Sequence, residues 1–248
     1  MADVALIHAG IADSRMWRPQ LESFAQAHRV IAPDLPGFGT TPEGKTVDYR
    51  ASVRSALDAA GSKRAALVGT SLGGRVALEV ALESPDRVSA LVLVGAGIDG
   101  HEWSPEVRAF GEEEETALER GDLDAAVEAN LRLWLAGPRR TLDAIDPSIQ
   151  ELVRDMQRNA FQLQQDQNVD FVPLEPPASQ RLADVGVPTL VVTGDEDVSD
   201  IHVIADRLAA EIPGAKRATI ADAAHLPNLE RPDEFDRIVL AFLEQHGV

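Results

Sequence analysis

A serine between two glycines is the strongest chemical signal in the sequence. Residues 69–73 read Gly-Thr-Ser-Leu-Gly, with a short apolar run at 65–68 before them and a helical pattern at 72–83 after them. A serine at such a sharp strand-to-helix turn is held in a strained backbone conformation that exposes its hydroxyl, and the glycines let strand and helix approach closely. The pattern therefore predicts a nucleophile at Ser71 rather than a serine that only caps a helix.

A serine hydroxyl becomes a good nucleophile only when a base takes its proton, and the base itself must be oriented by an acid. Among the six histidines, His225 lies in a loop between the last predicted strand and the C-terminal helix. We expect His28, His202 and His246 to be exposed because they lie in polar stretches, and His101 lies at the start of a long helical interval. The order of the segments indicates His225 as the base.

Several carboxylates compete for the role of the orienting acid. They follow the predicted strand 188–192, at the carboxyl edge of the sheet where sites gather in open α/β folds: Asp195, Glu196, Asp197 and Asp200. Asp200 is well placed as the N-cap of the next helix, which sets it aside, and Asp222 is a further rival three residues before His225. Residue types alone leave this choice open.

Two glycine-rich motifs match nucleotide-binding patterns in unsuitable surroundings. Residues 39–46 fit GxxxxGK[ST], but residues 33–38 separate them from the preceding strand and Glu43 would put a negative charge into the anion cradle. Residues 95–100 fit GxGxxG, but no helix opens directly after them. We interpret both as loops, the second as a flexible exit from a strand, and expect neither a nucleotide cofactor nor a metal.

Composition excludes several other classes of protein. The 248 residues are 44% hydrophobic, as in a globular domain, and the absence of cysteine excludes disulfides and thiolate nucleophiles. A net charge of −18 opposes binding to nucleic acids and anionic membranes. No apolar run reaches the ~18 residues that span a bilayer, and the first residues lack the layout of a secretory signal. We expect a soluble cytoplasmic protein.

Short apolar runs alternate with helical segments, which is typical of a parallel sheet with crossover helices. We predict six strands, at 4–7, 29–32, 65–68, 90–94, 188–192 and 217–220. We predict helices between them and after the last, at 19–27, 48–60, 72–83, 201–210 and 233–245. This alternation predicts an α/β core formed by residues 1–97 and 186–248.

One interval, 98–185, is too long for an ordinary crossover and shows no convincing strand. Helix starts at Ser104, Asp122 and Asp146 predict three helices in it, the last running to Gln165. Residues 173–177, which are rich in proline, resemble a linker back to the core. The interval is therefore predicted to be a helical insertion.

Together these segments resemble the α/β-hydrolase superfamily, in its branch of cofactor-free serine hydrolases with a helical cap. The resemblance covers nearly the whole chain and includes residues 6–10 leading to Trp17, residues 33–39, the serine turn, the insertion in the cap position, residues 194–197 and the loop 225–232. It implies a mostly parallel sheet with helices on both faces. The family usually begins with a β-hairpin, which has no counterpart before the first strand here, so we expect about six parallel strands.

The resemblance also implies roles for single residues. In the family's G-D-x-D segments the acid is the second aspartate, which is Asp197 here. The oxyanion hole would be formed by the backbone N–H groups of Gly10 and Leu72, and His8 would be a structural histidine that holds the loop of Gly10. Relatives often have a bulky residue at the position of Gly10, so its absence is expected to widen the site.

These features predict a serine hydrolase of a small or medium ester or lactone, acting through an acyl-enzyme without a cofactor. The substrate would carry an apolar acyl or alcohol part, and six side chains are candidates for its pocket: Trp17, Trp103, Phe110, Trp134, Met156 and Phe161. The alternatives implied by relatives are hydrolysis of carbon–carbon bonds or formation of peracids by the same triad. A small-molecule receptor on the same fold, without turnover, is the alternative from another class.

Overall fold

Six strands lie side by side in one parallel sheet in the computed structural model, which describes residues 1–164 and 168–248. In spatial order they are β2 (His28–Ile31), β1 (Ala2–Ile7), β4 (Ala65–Thr70), β5 (Val88–Val94), β7 (Thr189–Gly194) and β8 (Lys216–Ile220). Every neighbouring pair is parallel. The prediction of about six parallel strands is confirmed.

Helices cover both faces of this sheet. Residues of β1 alternate between the faces, since Ala5 and Ile7 belong to one apolar cluster, and Val4 and Leu6 to the other. The first cluster includes side chains of α2 (Tyr49–Ala59), α3 (Leu72–Glu83) and α7 (Ser199–Glu211). The second includes side chains of α1 (Arg18–Phe24) and α9 (Pro232–Gln245), on the other face. Strands buried on both faces are nearly continuous apolar runs, which is why the sequence reveals them.

The described part of the interval 98–185 contains three α-helices: α4 (Pro105–Glu119), α5 (Leu123–Asn130), which continues as a π-helix over Leu131–Ala136, and α6 (Pro147–Leu163). Ser104, Asp122 and Asp146 cap them, each accepting a hydrogen bond from a backbone N–H of the first turn. The three predicted helix starts are confirmed, and Gln165 lies outside the described residues. The division of the chain into a core and a cap stays a prediction.

The prediction that this interval has no strand is wrong. A two-residue strand, β6 (Asp170–Phe171), pairs in parallel with β3 (Thr46–Val47) and connects the interval to the first part of the chain. Strands of two residues are too short to show an alternating pattern in the sequence. A four-residue helix, α8 (Pro227–Glu230), lies between β8 and α9. Among the described residues, no helix has both the length and the apolar character needed to cross a bilayer.

Candidate active site

Ser71 occupies the tight turn between β4 and α3. Its φ of 55° is one of two positive values among the non-glycine residues that the structure describes, and its N–H donates to the Val94 carbonyl at 2.8 Å. A Cβ added to Gly69 would lie 2.2 Å from the Gly73 carbonyl oxygen, so a side chain at 69 would force the strand and the helix apart. The turn therefore has the strained conformation that the sequence predicts, held in place by close packing.

His225 and Asp197 form a buried hydrogen-bonded pair at the carboxyl edge of the sheet. His225 Nδ1 lies 2.8 Å from Asp197 Oδ2, and the two side chains are 2% and 1% exposed. The other carboxylate oxygen accepts from the Val198 N–H at 2.8 Å. Because an ionised carboxylate can only accept, Nδ1 carries the hydrogen of the pair and Nε2 is left as the basic nitrogen of a neutral imidazole.

The rival carboxylates lie elsewhere. Asp222 is 79% exposed and faces Arg231 at 3.7 Å, and Glu196 pairs with Arg139 at 2.9 Å. Within the described part of the chain, Asp197 is the carboxylate that contacts His225. Asp197 is therefore the carboxylate that the fold places against His225, and its role as the orienting acid stays a prediction from the family resemblance.

Asp200 is not the helix N-cap that the sequence predicts. The helix α7 starts at Ser199, ahead of the expected first residue, so Asp200 lies in its first turn. Its Oδ1 instead accepts from His101 Nε2 at 3.0 Å and from the Ser104 N–H at 2.7 Å. Contacts across about 100 positions of the chain are not visible in local sequence patterns, which explains the error.

Trp134 lies in the wall of the cavity that contains Ser71 and packs against the ring of His225. Ser71 and Trp134 line one cavity of about 340 Å³, and the ring centroids of Trp134 and His225 are 4.5 Å apart. The backbone N–H of His225 donates to the backbone carbonyl of Trp134 at 3.2 Å. Gly95 lies against the same pair, because a Cβ added there would be 3.1 Å from His225 Nδ1. The interpretation of Gly95 as part of a flexible exit misses this close approach.

Gly10 and Leu72, whose backbone N–H groups are expected to form an oxyanion hole, are neighbouring residues in the fold. A Cβ added to Gly10 would lie 3.7 Å from Leu72 Cβ. Leu72 is the first residue of α3, so its N–H precedes the hydrogen-bond ladder of the helix and lies at the positive end of the helix dipole. Both features favour a negatively charged oxygen at this position.

His8 fixes the loop that carries Gly10. Its Nε2 accepts from the Leu35 N–H at 2.9 Å and its Nδ1 lies 2.8 Å from the Ala9 carbonyl oxygen. This arrangement requires a neutral imidazole with its hydrogen on Nδ1. Burial lowers the pKa of His8 and so favours the same neutral form. These contacts fit the structural role implied for His8.

The expected pocket residues separate into two groups. Trp103 and Trp134 line the cavity of Ser71, and Phe110 packs edge-on against Trp134 with ring centroids 5.9 Å apart. Leu72, Ile98 and Ile201 complete the apolar part of its wall. The cavity is therefore bordered by two indole rings and three aliphatic side chains.

The other three side chains belong to the packed interior. Trp17 is fully buried and faces Phe235 at a centroid distance of 6.1 Å, and Met156 is also fully buried in the same apolar cluster. Phe161 packs partly buried against that cluster. The structure thus corrects their placement, since apolar type alone does not separate a core residue from a pocket residue. The expectation that His28 is exposed is also wrong, because His28 is buried, with 6% of its surface exposed.

An ion pair that the sequence analysis missed holds the loop of His225. Arg140 Nη2 lies 2.8 Å from Glu230 Oε2, and the Glu230 side chain is 4% exposed. The other Glu230 oxygen accepts from the Ala224 N–H at 2.7 Å, and Arg140 Nη1 donates to the Asp222 carbonyl at 3.1 Å. Burial raises the pKa of Glu230, so its charge depends on these partners. A contact over 90 positions leaves no local signal.

The substitution Glu230→Gln is expected to lower the free energy of unfolding by about 1–3 kcal/mol, the cost of leaving a largely buried donor, here Arg140, without its partner. The amide keeps the size of the side chain and an acceptor for Ala224, but it leaves Arg140 without its carboxylate partner. Urea denaturation measures the loss. Glu234→Gln is the matched control, because Glu234 is 39% exposed and its contact with Arg237 is long, at 3.6 Å. Equal stability of the two variants would contradict the role of the buried pair.

The chain matches known proteins over most of its length. The Alpha/beta hydrolase family matches residues 4–238. A putative carbamate hydrolase RutD of Klebsiella pneumoniae (strain 342) is 29% identical over 249 residues, covering 96% of this chain and 90% of the relative. The pimeloyl-[acyl-carrier protein] methyl ester esterase of Aliivibrio fischeri (strain MJ11) is 25% identical over 252 residues, covering 99% and 95%.

A solved structure agrees with these sequence matches. The crystal structure of a hydrolase from Pseudomonas aeruginosa PA01 superposes with a TM-score of 0.78 at 28% identity, covering 98% of this chain and 89% of that chain. The shared fold includes the parallel sheet whose carboxyl edge carries Ser71, Asp197 and His225. The chain therefore belongs to the alpha/beta hydrolase family.

Proposed function

We propose that this family member is a serine hydrolase that cleaves a small or medium carboxylic ester or lactone through an acyl-enzyme. One observation carries the proposal: Trp134 borders both the cavity of Ser71 and the ring of His225, which is bonded to the buried Asp197. Nucleophile, base and orienting acid are the parts that acyl transfer by a serine requires.

In the proposed first step, Ser71 Oγ forms a bond to the carbonyl carbon and its proton passes to His225 Nε2. The resulting imidazolium is stabilised by Asp197 through the Nδ1 hydrogen bond. The negative charge that develops on the carbonyl oxygen accepts hydrogen bonds from the N–H groups of Gly10 and Leu72. The bond to the alcohol then breaks, and His225 gives the proton to the leaving oxygen.

In the second step, water repeats the chemistry on the acyl-enzyme. His225 Nε2 takes a proton from water, the hydroxide oxygen attacks the acyl carbon, and the bond to Ser71 Oγ breaks as the proton returns to that oxygen. The products are a carboxylic acid and the free serine. In a lactone the leaving alcohol stays attached to the acyl group, so one hydroxy acid is released.

The size of the cavity supports a small substrate. Its volume of about 340 Å³ is near the lower limit of ligand pockets, roughly 300–1,000 Å³. Its wall has the two indole rings of Trp103 and Trp134 beside aliphatic side chains. Such a wall favours a short acyl or alcohol part with apolar character.

The names of the relatives suggest further substrate classes to assay. A carbamate presents the same kind of carbonyl as an ester, and one relative is named a putative carbamate hydrolase. Another is named a methyl ester esterase, which supports the ester as the leading class. Carbon–carbon cleavage also has a counterpart among the relatives, which include a 2-hydroxy-6-oxononadienedioate/2-hydroxy-6-oxononatrienedioate hydrolase. Peracid formation and a receptor role stay predictions from the sequence alone.

The proposal is tested with a panel of 4-nitrophenyl esters of increasing acyl length, small lactones and an aryl carbamate, assayed on wild type and Ser71→Ala. We expect turnover that is fastest for short acyl groups and absent from the variant. Binding of one equivalent of a panel compound, seen as a saturating thermal shift without turnover, would favour the receptor and overturn the proposal.

A further inference from the structure

A second histidine–aspartate pair borders the cavity that contains Ser71. His101 lines the cavity, as do Gly100 and Trp103 from the same segment of the chain. The His101 ring packs edge-on against Trp103, with centroids 5.0 Å apart. Its Nε2 lies 3.0 Å from Asp200 Oδ1. The proposed mechanism uses neither residue, although His101 shares the cavity with the nucleophile.

Asp200 fixes the orientation and the tautomer of His101. The aspartate is 4% exposed, and the same Oδ1 also accepts from the Ser104 N–H at 2.7 Å. Burial raises the pKa of Asp200, but hydrogen bonds from Ser104 and His101 outweigh burial and hold it below the usual range. The carboxylate is therefore ionised and can only accept, so His101 Nε2 carries the hydrogen of this contact; in the neutral tautomer with that hydrogen, the lone pair is on Nδ1.

The other side-chain hydrogen-bond acceptors of the cavity wall are the hydroxyl of Ser71 and the carboxylate of Asp99. Leu72, Ile98 and the two tryptophans have no side-chain acceptor. Arg75 and Asp99, which also line the cavity, bond to each other at 3.0 Å, so the carboxylate already has a cationic partner. His101 thus borders the cavity of Ser71 with a ring that Asp200 holds by Nε2, and Nδ1 is the ring nitrogen that this contact leaves available.

We propose that His101 is a specificity-determining residue that accepts a hydrogen bond from a hydroxyl group of the substrate, so that the preferred esters carry a hydroxylated acyl or alcohol chain. The inference rests on the proposed function and names its substrate class. A fixed acceptor in a small cavity favours a substrate with a matching donor, because a substrate without one leaves the nitrogen unpaired when water is displaced.

The test compares kcat/KM within matched pairs of esters. One pair places the hydroxyl on the acyl chain, as 4-nitrophenyl butanoate against 4-nitrophenyl 3-hydroxybutanoate, and the other on the alcohol, as butyl butanoate against 4-hydroxybutyl butanoate. Wild type is expected to prefer the hydroxylated member of at least one pair by about 3- to 10-fold, the effect of one neutral hydrogen bond. His101→Phe keeps a ring but removes the acceptor, so the preference is expected to fall to about 1.

Two further variants separate recognition from folding. His101→Gln keeps a side-chain acceptor and is expected to keep part of the preference even if His101→Phe folds poorly. His202→Phe is the matched control, because His202 lies on α7 outside the cavity wall and is expected to keep the wild-type ratio. A merely structural role of His101 would lower kcat/KM for both members of a pair and leave their ratio unchanged.

The outcomes distinguish this inference from the function on which it rests. If wild type hydrolyses both members of each pair equally, the inference is overturned while the proposed function stands. The same conclusion follows if His101→Phe keeps the preference for the hydroxylated ester. If wild type hydrolyses no ester at all, the proposed function fails and the inference fails with it.

Discussion

Ser71→Ala is expected to lower kcat on the preferred ester by about 10⁶, with KM nearly unchanged. The substitution removes the oxygen that forms the acyl-enzyme, and the remaining groups cannot replace it because Asp197 and His225 act on the proton of that oxygen. Steady-state kinetics on purified protein measure the effect. The small side chain of alanine fits the turn, although its positive φ of 55° is strained for any residue with a Cβ.

The matched control for this prediction is Ser55→Ala. Ser55 lies exposed on α2 and lines no cavity that contains Ser71, so its loss is expected to leave kcat unchanged. Circular dichroism of both variants shows whether the fold is intact. If the Ser71→Ala protein is folded and retains most of the activity, Ser71 is not the nucleophile.

Asp197→Asn is expected to lower kcat by about 10⁴, a smaller loss than that of the nucleophile. The amide is close in size to the carboxylate and fits the same buried position, which is 1% exposed. It no longer forces the hydrogen of His225 onto Nδ1, so Nε2 is protonated in a large fraction of molecules and cannot act as the base. The negative charge that stabilises the imidazolium is also lost.

Asp222→Asn is the control for this second prediction, because Asp222 is 79% exposed and lies in the same region of the chain as His225. Its activity is expected to equal that of wild type. If activity is instead lost in Asp222→Asn and kept in Asp197→Asn, Asp222 is the acid and the proposed site is contradicted.

The four central strands of the sheet, β1, β4, β5 and β7, could be predicted because they are buried on both faces over most of their length. Each of the six predicted strands overlaps its counterpart, and their ends differ by at most two residues. Parallel strands of this kind are apolar at successive positions rather than at alternate ones, so their signal is strong even over five or six residues. The short pair β3 and β6 has no such signal, and the sequence analysis missed it.

The turn that carries Ser71 could also be predicted from a local pattern, because the glycines around Ser71 are needed where the strand meets the helix. The partner of His225, which we propose as the acid, could not be derived from residue types, since Asp195, Glu196 and Asp197 lie in one loop and only the fold decides which contacts His225. The family resemblance supplied that choice. Asp200 shows the opposite case, since its local position suggests a cap while its contacts are with His101 and Ser104.

The roles of the remaining residues could not be predicted because they depend on long-range packing. Arg140 and Glu230 contact each other across 90 positions, and neither has a local feature that distinguishes it from a surface charge. Trp17 looks like a pocket residue by type but is enclosed by Phe235 and its neighbours. In each case the role depends on which distant residue lies opposite, and a single sequence does not contain that information.

The central claim, an activated nucleophile at Ser71, is tested most directly by intact mass spectrometry after incubation with a small fluorophosphonate. Such a reagent phosphonylates a serine whose proton is removed by a neighbouring base. We predict one adduct on wild type and none on Ser71→Ala under the same conditions. Folded wild type without an adduct, or equal labelling of both proteins, would contradict the claim.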